Sequence, residues 1–221
     1  MQPIRMIDIK EQILFDNNNL ADEIRQELLS EKVFMLNLMA SPGAGKTSLI
    51  IETIRRMKAD YRMGVIEGDI ESLVDSEKIA AEGIPAVQLR TGGACHLDAP
   101  MINAALGTMD QKDLDWIIIE NIGNLVCPAE FDVGETRKAM ILSVPEGDDK
   151  VLKYPLMFSV CDVLVVNKID CLPYFDFNMD ALKVRVRKLN PNIKIFEVSS
   201  KTGEGLDNWC EWLRSEIEAY R

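Results

Sequence analysis

The segment Val33-Phe-Met-Leu-Asn-Leu-Met39, followed directly by Ala40-Ser-Pro-Gly-Ala-Gly-Lys46-Thr47, decides the fold of this 221-residue chain. Its first part is a short apolar run, typical of a strand that is buried on both faces of a sheet. Gly43 and Gly45 let the backbone curl so that successive N–H groups point at one anion. The helical pattern that begins at Lys46 would add the positive end of a helix to the same anion. The sequence therefore predicts a strand, a phosphate-binding loop and a helix.

The turn matches the phosphate-loop pattern GxxxxGK[ST], with Ala40 in place of the first glycine, where a small residue can still fit. Lys46 would reach the β- and γ-phosphates of a nucleotide, and the Thr47 hydroxyl would take a coordination position on Mg²⁺. The alternative is an ordinary glycine-containing turn between a strand and a helix. We expect the phosphates to be held by Pro42, Gly43, Ala44, Gly45, Lys46, Thr47 and Ser48.

Further apolar runs predict strands at residues 62–67, 85–90, 115–120, 137–144, 162–167 and 193–198. Helical patterns between or after them cover residues 71–81, 97–106, 180–189 and 206–220. Strands that alternate with helices indicate right-handed βαβ units. We therefore predict the α/β class, with an open, mostly parallel sheet flanked by helices, as in P-loop GTPases.

Composition and charge exclude several classes of protein. The apolar fraction is 47% and the charged fraction 28%, as in soluble domains, and no apolar run approaches the roughly 20 residues that span a bilayer. The first residues lack the apolar block of a secretory signal, so we expect a cytoplasmic protein with no membrane partner. The net charge of −11 repels phosphate backbones, so we expect no nucleic acid among the partners.

The segment Asn167-Lys-Ile-Asp170, at the end of a predicted strand, indicates which base is bound. The carboxylate of Asp170 could accept two hydrogen bonds, from the ring N–H and the exocyclic amine of guanine. Adenine offers neither donor there and would leave a buried carboxylate unpaired. Asn167 would hold the loop and touch the base, and the stem of Lys168 would pack on the purine face.

The segment Ser199-Ser200-Lys201, which follows the next predicted strand, fits a second contact with guanine. In this contact, backbone N–H groups would address the O6 oxygen of the base. Solvated turns are the alternative for both base-binding segments. Their position after apolar strands, downstream of a phosphate loop, favours GTP and GDP over adenine nucleotides.

Two acidic residues at other predicted strand ends are candidates for Mg²⁺ and for catalysis. Glu120-Asn-Ile-Gly123 is similar to the DxxG pattern of GTPases, so Glu120 would hold Mg²⁺ through a water and Gly123 would lie near the γ-phosphate. Asp69 is a candidate for Mg²⁺ or for orienting the attacking water, with capping of the next helix as the alternative. We expect Lys46, Asp69 and Glu120 to act in hydrolysis of GTP to GDP and phosphate. No glutamine or arginine is recognisable as a catalytic group, so we expect a slow intrinsic rate.

A second chemistry is indicated by Cys95 and His96, in a glycine-rich loop, and by Cys127, a few residues beyond Glu120. Both segments leave the carboxyl ends of predicted strands, so they can meet above the sheet. Thiolate and imidazole are ligands for Zn²⁺ and, in square-planar geometry, for Ni²⁺. A further ligand would come from water, from Asp98 or from a second protomer. Because adjacent ligands cannot easily both turn inward, we expect a surface site shared across a dimer.

The alternative for these residues is structural, because free cysteines are commonly buried and a lone histidine usually only makes hydrogen bonds. The chain has five cysteines and no CxxC pair, so we expect reduced thiols rather than a disulfide framework. Cys161, Cys171 and Cys210 lie beside apolar segments, and we predict that they belong to the core.

Several segments together resemble the hydrogenase nickel incorporation GTPases of the HypB family, a class of dimerising P-loop GTPases. These segments are Ser41–Thr47, Cys95–Ala99, Glu120–Ala129, Glu146–Asp148 and Asn167–Asp170, in order over nearly the whole chain. The resemblance implies GTP-dependent delivery of nickel to [NiFe]-hydrogenase by a GTP-dependent homodimer. It implies a small nickel metallochaperone of the HypA type and the hydrogenase large subunit as partners. It also implies that Cys95, His96 and Cys127 form a metal site for nickel or zinc.

Other functions stay open at this point. The urease accessory GTPase, UreG, also delivers nickel, but its Cys-Pro-His metal motif is absent here. A GTP-switched interaction protein without metal would use Cys95 and Cys127 as packed thiols. A small-molecule kinase would use the phosphate loop but is disfavoured by the guanine motif.

The chain divides into two predicted parts. Residues 1–30 form an amino-terminal helical segment packed on the body, with one or two helices over 7–30 that the polar stretch Asp16-Asn-Asn-Asn19 interrupts. Residues 31–221 form a P-loop GTPase domain in which the metal site is embedded.

Overall fold

One seven-stranded sheet, flanked by helices, forms the centre of the protein; the computed structural model describes residues 9–69, 74–109 and 111–221. The strands are β1 (Phe34–Ala40), β2 (Met63–Asp69), β3 (Ala86–Arg90), β4 (Trp116–Gly123), β5 (Arg137–Ser143), β6 (Val163–Asn167) and β7 (Lys194–Glu197). The α-helices are α1 (Ile9–Glu31), α2 (Lys46–Met57), α3 (Val74–Ala80), α4 (Ala99–Leu106), α5 (Lys150–Lys153), α6 (Pro155–Val160), α7 (Met179–Leu189) and α8 (Leu206–Tyr220). The predicted α/β class is confirmed.

The strands lie in the order β3-β2-β4-β1-β5-β6-β7, and every neighbouring pair is parallel. After β1 the chain builds β2 and β3 on one side, returns through β4, and crosses β1 to build the other half. A ligand crevice is expected where the strand order changes direction in this way, at the carboxyl ends of the strands. Because all strands are parallel, the loops that follow them lie along one edge of the sheet.

Helices cover both faces of the sheet, which explains why six of the seven residues of β1 are apolar, with the buried Asn37 as the polar exception. Leu36 packs toward α2 and α8, in a cluster that includes Trp209. Met35 faces the opposite way, into a cluster formed with α1 and α4. A third cluster packs Leu142 of β5 with Phe158 of α6 and with α7. Since successive strand residues point to opposite faces, a strand covered on both sides is mostly apolar, and each polar residue in it needs a partner.

Helix α1 is a single helix, one of the two predicted alternatives, and the polar residues 16–19 lie within it. Asn17 is buried, and its side chain has two backbone partners in the body of the protein. Its Oδ1 accepts from the N–H of Ala99 at 2.8 Å, and its Nδ2 donates to the carbonyl of Asp132 at 2.8 Å. Arg25 of the same helix forms an ion pair with the Asp132 carboxylate at 2.6 Å. The polar stretch therefore fastens the helix rather than breaking it.

Other differences from the predicted elements are small. Strand β4 continues through Gly123, three residues further than predicted, because a register shift in β1 between Leu38 and Ala40 lets the pairing extend. The region between β5 and β6 holds the short helices α5 and α6, for which the sequence pattern gave no prediction. The predicted helix 71–81 is represented by α3, and residues 70–73 lie outside the described part of the chain. Among the described residues, no helix combines the length and hydropathy that a membrane crossing requires.

Replacing Asn17 with alanine should lower the free energy of unfolding by about 1–3 kcal/mol, because two buried backbone groups lose their partner. Asn19→Ala is the matched control, since Asn19 lies on the same helix at an exposed position and should change the stability by less than about 0.5 kcal/mol. Chemical denaturation of both variants measures the difference. Equal stabilities would show that Asn17 does not fasten α1.

Candidate nucleotide and metal sites

The predicted phosphate-binding residues form one tight turn between β1 and α2. Gly43 and Gly45 have φ angles of +75° and +101°, a region that glycine enters without strain. Gly45 caps α2, so Lys46 and Thr47 are the first residues of that helix. Ala44 is buried beneath the turn. The turn thus directs its backbone and the amino end of α2 toward the space above β1, where an anion is favoured.

The end of β4 lies directly against this turn. The Thr47 hydroxyl donates to Oε1 of the buried Glu120 at 2.8 Å. A Cβ atom built on Gly123 would lie 3.0 Å from the ring and the nitrogen of Pro42, so the two segments are in close contact. A hydroxyl and a carboxylate oxygen are the hard ligands that Mg²⁺ prefers. The residues present therefore fit a magnesium ion at this point.

A second buried carboxylate, Glu67, lies beside Glu120, and the sequence analysis did not identify it. Glu67 of β2 is the register partner of Glu120 in β4 and accepts a hydrogen bond from the Ser76 hydroxyl. In the sequence it is one polar residue within a strand, and only the pairing of β2 with β4 shows where it lies. Asp69 ends β2, but its side chain is outside the described part of the chain.

A cavity of about 260 Å³ lies beside the phosphate turn, where the sequence predicts the base. Most of the residues predicted to bind the base line it, together with two residues of the turn and its helix. The lining residues are Gly45, Ser48, Asn167, Lys168, Asp170, Cys171, Ser200 and Lys201. Cys171 is half-buried and contributes to this wall, so its prediction as a core residue is only partly correct.

Asn167 connects the phosphate turn with both base-binding segments. Its Nδ2 donates to the carbonyl of Ala44 at 3.1 Å. Its Oδ1 accepts from the backbone N–H of Lys168 at 2.8 Å and from the N–H of Ser200 at 3.2 Å. Because Asn167 is buried and ends β6, it fixes three loops at once. A Cβ atom on Gly45 would lie only 2.6 Å from its Nδ2, so only glycine fits there.

The side chains around the base cavity are held by the protein itself. Lys168 extends across to the phosphate turn, where its Nζ donates to the carbonyl of Gly43 at 2.6 Å. The Ser199 hydroxyl donates to Oδ1 of Asp170 at 2.7 Å. The backbone N–H groups of Ser199 and Ser200 bind Glu204 and Asn167, so in this structure they do not address the cavity as predicted. The Ser199 hydroxyl positions Asp170, and the Ser200 N–H positions Asn167.

The predicted metal ligands Cys95, His96 and Cys127 come together at the same edge of the sheet. One ligand atom from each lies within 4.8 Å of the other two. The two thiols are 2.9 Å apart, and the Cys95 sulfur lies 3.7 Å from Nδ1 of His96. The loop turns the adjacent side chains of Cys95 and His96 to the same side without directing them into the interior. The cluster is at the surface, as predicted, with Cys95 exposed.

Two neighbours that no sequence motif marks hold the loop that bears Cys95 and His96, called the metal loop below. The ring of Phe131 stacks on His96 with a centroid distance of 3.8 Å. The side chain of Asn124 donates to the carbonyl of Cys95 at 3.0 Å. Neither residue is a metal ligand type, so no ligand pattern marks them. Asp98, considered as a further ligand, caps α4 by accepting from the N–H of Met101 at 2.9 Å and is not part of the cluster.

The protonation of the cluster reflects its surroundings. Burial lowers the pKa of His96, against the opposing effect of the Asp98 and Glu130 carboxylates, so the neutral imidazole is favoured. The hydrogen bond to Cys127 raises the pKa of the Cys95 thiol, so its protonated form is favoured. All five cysteines are free, as predicted. Cys161 and Cys210 lie in the core, and burial raises the pKa of Cys210 to about 11.

A phosphate turn at the end of a central parallel strand, with a base cavity beside it, defines a P-loop nucleotide-binding protein. Comparison with known proteins makes the assignment narrower. The family model "CobW/HypB/UreG, nucleotide-binding domain" matches residues 34–197. The chain belongs to this family and, within it, to the hydrogenase maturation factors of the HypB type. The family resemblance predicted from the sequence is confirmed.

Three relatives illustrate the similarity. Hydrogenase maturation factor HypB of Escherichia coli strain K12 is 44% identical over 216 residues, which cover 98% of this chain and 74% of the relative. HypB of Azotobacter vinelandii is 45% identical over 225 residues, with the same two coverages of 98% and 74%. The crystal structure of HypB from Helicobacter pylori in complex with nickel superposes with a TM-score of 0.88 at 38% identity, covering 93% of this chain and 97% of that one.

The Gly45→Ala substitution should weaken GDP binding about tenfold more than Gly43→Ala, a difference of about 1.4 kcal/mol. Both glycines have positive φ angles, so both variants carry the strain of a left-handed alanine. Only at Gly45 would the new methyl group also displace Asn167, whereas a Cβ on Gly43 meets nothing within 4 Å. Titration with a fluorescent GDP analogue measures the two affinities. Equal losses of GDP affinity in the two variants would show that nucleotide binding does not depend on the close contact between Gly45 and Asn167.

Proposed function

We propose that this protein is a GTP-hydrolysing metallochaperone that couples GTP binding and hydrolysis to nickel delivery during [NiFe]-hydrogenase maturation. The observation that supports this most directly is the shared connection between its two sites. Glu120 accepts a hydrogen bond from Thr47 of the phosphate turn, and the chain that continues from Glu120 reaches Cys127 of the metal cluster. Relatives named hydrogenase maturation factors, and the nickel complex of the Helicobacter pylori protein, are consistent with this function.

In this proposal the phosphate turn binds the nucleotide and Mg²⁺. Residues 42–48 cradle the phosphates, with Lys46 on the β- and γ-phosphates. Thr47 and Glu120 would hold Mg²⁺, directly or through water, and the cation would supply charge stabilisation for the phosphate oxygens. Asp69 is proposed to assist with Mg²⁺ or the attacking water, and Gly123 to contact the γ-phosphate. Hydrolysis by these groups alone would be slow.

Guanine is the base that the cavity suits best. Asp170 is held by the Ser199 hydroxyl at one oxygen, so its carboxylate is oriented before the base arrives. The ring N–H and exocyclic amine of guanine would donate to it, and Asn167 and Lys168 would contact the purine. Because the Ser199 and Ser200 N–H groups bind within the protein, we expect the contact with O6 to come from Lys201.

Nickel is the proposed cargo of the cluster formed by Cys95, His96 and Cys127. Two sulfurs and one imidazole nitrogen suit Ni²⁺ or Zn²⁺ and leave coordination positions for water or a second protomer. Gly123 lies between Glu120 and Cys127, so a change at the γ-phosphate can alter the placement of the Cys127 thiol. We propose a GTP-dependent homodimer that works in the cytoplasm with a HypA-type metallochaperone and the hydrogenase large subunit.

The two-part division of the chain belongs to the same proposal. Residues 1–30 would act as a helical segment that supports the nucleotide-binding domain at 31–221. The contacts of Asn17 and Arg25 with the segment around Asp132 support this role. That segment follows residues 120–127, which join the phosphate turn to the metal cluster and are called the metal connection below.

Replacing Cys127 with alanine should lower Ni²⁺ affinity by more than about a hundredfold, since a direct ligand matters more than the outer-shell partners whose loss costs up to that amount. GDP affinity should stay within about twofold of the wild type, because Cys127 has no contact with the phosphate turn. Cys210→Ala is the control, since that thiol is buried in the core away from the cluster. Metal titration in competition with a chromophoric chelator measures both variants. Full retention of Ni²⁺ affinity by Cys127→Ala would contradict the site.

The same titration tests coupling when it is done on the wild type with GDP and with a non-hydrolysable GTP analogue. Ni²⁺ affinity should differ between the two states, because the metal connection begins at the residue that contacts Thr47. Identical affinities would end the coupling proposal while leaving the metal site in place.

The Asp170→Asn variant should lose guanine specificity. Each of the two hydrogen bonds to the charged group contributes about 1.5–3 kcal/mol, so GDP affinity should fall by at least about a hundredfold. Xanthosine diphosphate, which presents a carbonyl in place of the exocyclic amine, should bind the variant better than GDP does. Asp176→Asn, an exposed carboxylate a few residues further on, should leave the preference for GDP intact. An Asp170→Asn variant that still prefers GDP would exclude this base assignment.

A further inference from the structure

A hydrogen-bond network of buried amide and carboxylate side chains lies beneath the metal loop. Asn121, the residue after Glu120, accepts from the backbone N–H of Leu97 at 3.3 Å and donates to Oδ1 of Asn37 at 3.1 Å. Asn37 in turn donates to Oε1 of Glu135 at 3.1 Å. All three polar side chains are at least 96% buried, since Asn37, Asn121 and Glu135 are 0%, 0% and 4% exposed. Neither the nucleotide site nor the metal cluster, as described so far, uses them.

The donor-to-acceptor direction of the hydrogen bonds in this network is fixed at both of its ends. The backbone N–H of Leu97 can only donate, so Asn121 must present its oxygen there. At the other end, Glu135 accepts from the N–H of Val133 at 2.9 Å as well as from Asn37. Both amide groups are thereby fixed in one orientation, and the oxygen and the nitrogen of each have a partner inside the protein. A network that is satisfied throughout is rigid and positions the segments it joins.

The segments joined in this way surround His96. Leu97 follows His96 directly, and its side chain is wedged against Gly68 of β2, where an added Cβ would lie 2.8 Å away. Glu135 anchors the segment that begins with Phe131, whose ring stacks on His96. The backbone directly after His96 is therefore held by Asn121. The ring of His96 is held by Phe131, whose segment is bound to the same network.

We propose that Asn121 is a positioning residue for the metal site, fixing the loop that bears Cys95 and His96 to strand β4 beside Glu120. This inference rests on the proposed function. Successive residues of a strand point to opposite faces, so Glu120 faces Thr47 and the nucleotide while Asn121 faces Leu97 and the metal loop. One short piece of β4 thus contacts the phosphate turn on one face and the metal loop on the other. A displacement of this piece moves the metal loop without any intervening flexible segment.

The test compares two substitutions that break the network at different bonds. Asn121→Leu, which is close to isosteric, removes both the acceptor for Leu97 and the donor to Asn37. Asn121→Asp retains the acceptor for Leu97 and loses only the donor to Asn37. The matched control is Asn190→Leu, because the Asn190 amide donates to the carbonyl of Cys161 at 2.7 Å, at the opposite edge of the sheet. Ni²⁺ affinity, GDP affinity and thermal stability are measured on the full chain in the GDP-bound form.

Asn121→Leu should lower Ni²⁺ affinity by about ten- to a hundredfold, the range found for outer-shell partners of metal ligands, with GDP affinity within about twofold of the wild type. Asn121→Asp should bind Ni²⁺ with most of the wild-type affinity, even if it is thermally less stable than Asn121→Leu. A purely structural role would instead make Ni²⁺ affinity follow thermal stability. Asn190→Leu should lose stability and keep its Ni²⁺ affinity. If the leucine variant does not fold, Asn121→Ala takes its place with the same expectations.

Unchanged Ni²⁺ affinity in Asn121→Leu would overturn the inference, as would an aspartate variant that binds no better than the leucine variant. An equal loss of Ni²⁺ affinity in Asn190→Leu would also overturn it. Failure of the proposed function is recognised separately, since the wild type would then bind Ni²⁺ no better than Cys127→Ala does. In that case both proposals fall, whereas a wild type with Cys127-dependent binding leaves only the role of Asn121 in question.

Discussion

The hydrogen bond from Thr47 to Glu120 joins the two halves of the chemistry of this protein. Thr47 lies in the first turn of α2 and therefore moves with the phosphate turn, whereas Glu120 belongs to the strand that leads to Cys127. The bond is possible only because β4 is inserted between β2 and β1, which brings the two residues to the same edge of the sheet. A cation placed between these oxygens would bind both segments at once. The topology therefore makes the metal connection a direct neighbour of the nucleotide.

Buried amides, rather than charged pairs, set the positions of the functional loops. Asn167 fixes the phosphate turn and the base-binding segments, and Asn17 fastens α1 to the segment around Asp132. An amide can donate and accept at the same time, so one side chain satisfies backbone groups from two segments without the desolvation cost of a buried charge. Surface ion pairs contribute little by comparison. The geometry of this edge should accordingly be insensitive to salt.

The sequence predicted the fold and the clustering of the three candidate ligands because both leave local signals. The glycines of the phosphate turn and the apolar run of β1 constrain the backbone over a few residues, and Cys95, His96 and Cys127 are marked by their chemistry. The supporting residues leave no such signal, since a buried asparagine such as Asn17 looks like a helix breaker until its backbone partners are known. The places of Glu67 beside Glu120 and of Phe131 beside His96 are visible only from strand register and from contacts between distant segments. Such residues are set by long-range packing, which no short pattern encodes.

The exposure of the metal cluster suits a protein that must release its cargo. A structural zinc site is closed by four protein ligands, whereas the described part of the chain brings together three candidate ligands here, one of them an exposed thiol. Ligand exchange with a receiving protein needs an approach to the metal from solvent, and the exposed side of Cys95 provides one. The opposite side of the loop is rigid, because His96 is stacked on Phe131 and the following N–H is bound by Asn121. The loop is therefore fixed on the side that faces the protein and accessible on the side that faces solvent, an arrangement that permits ligand exchange without unfolding of the loop.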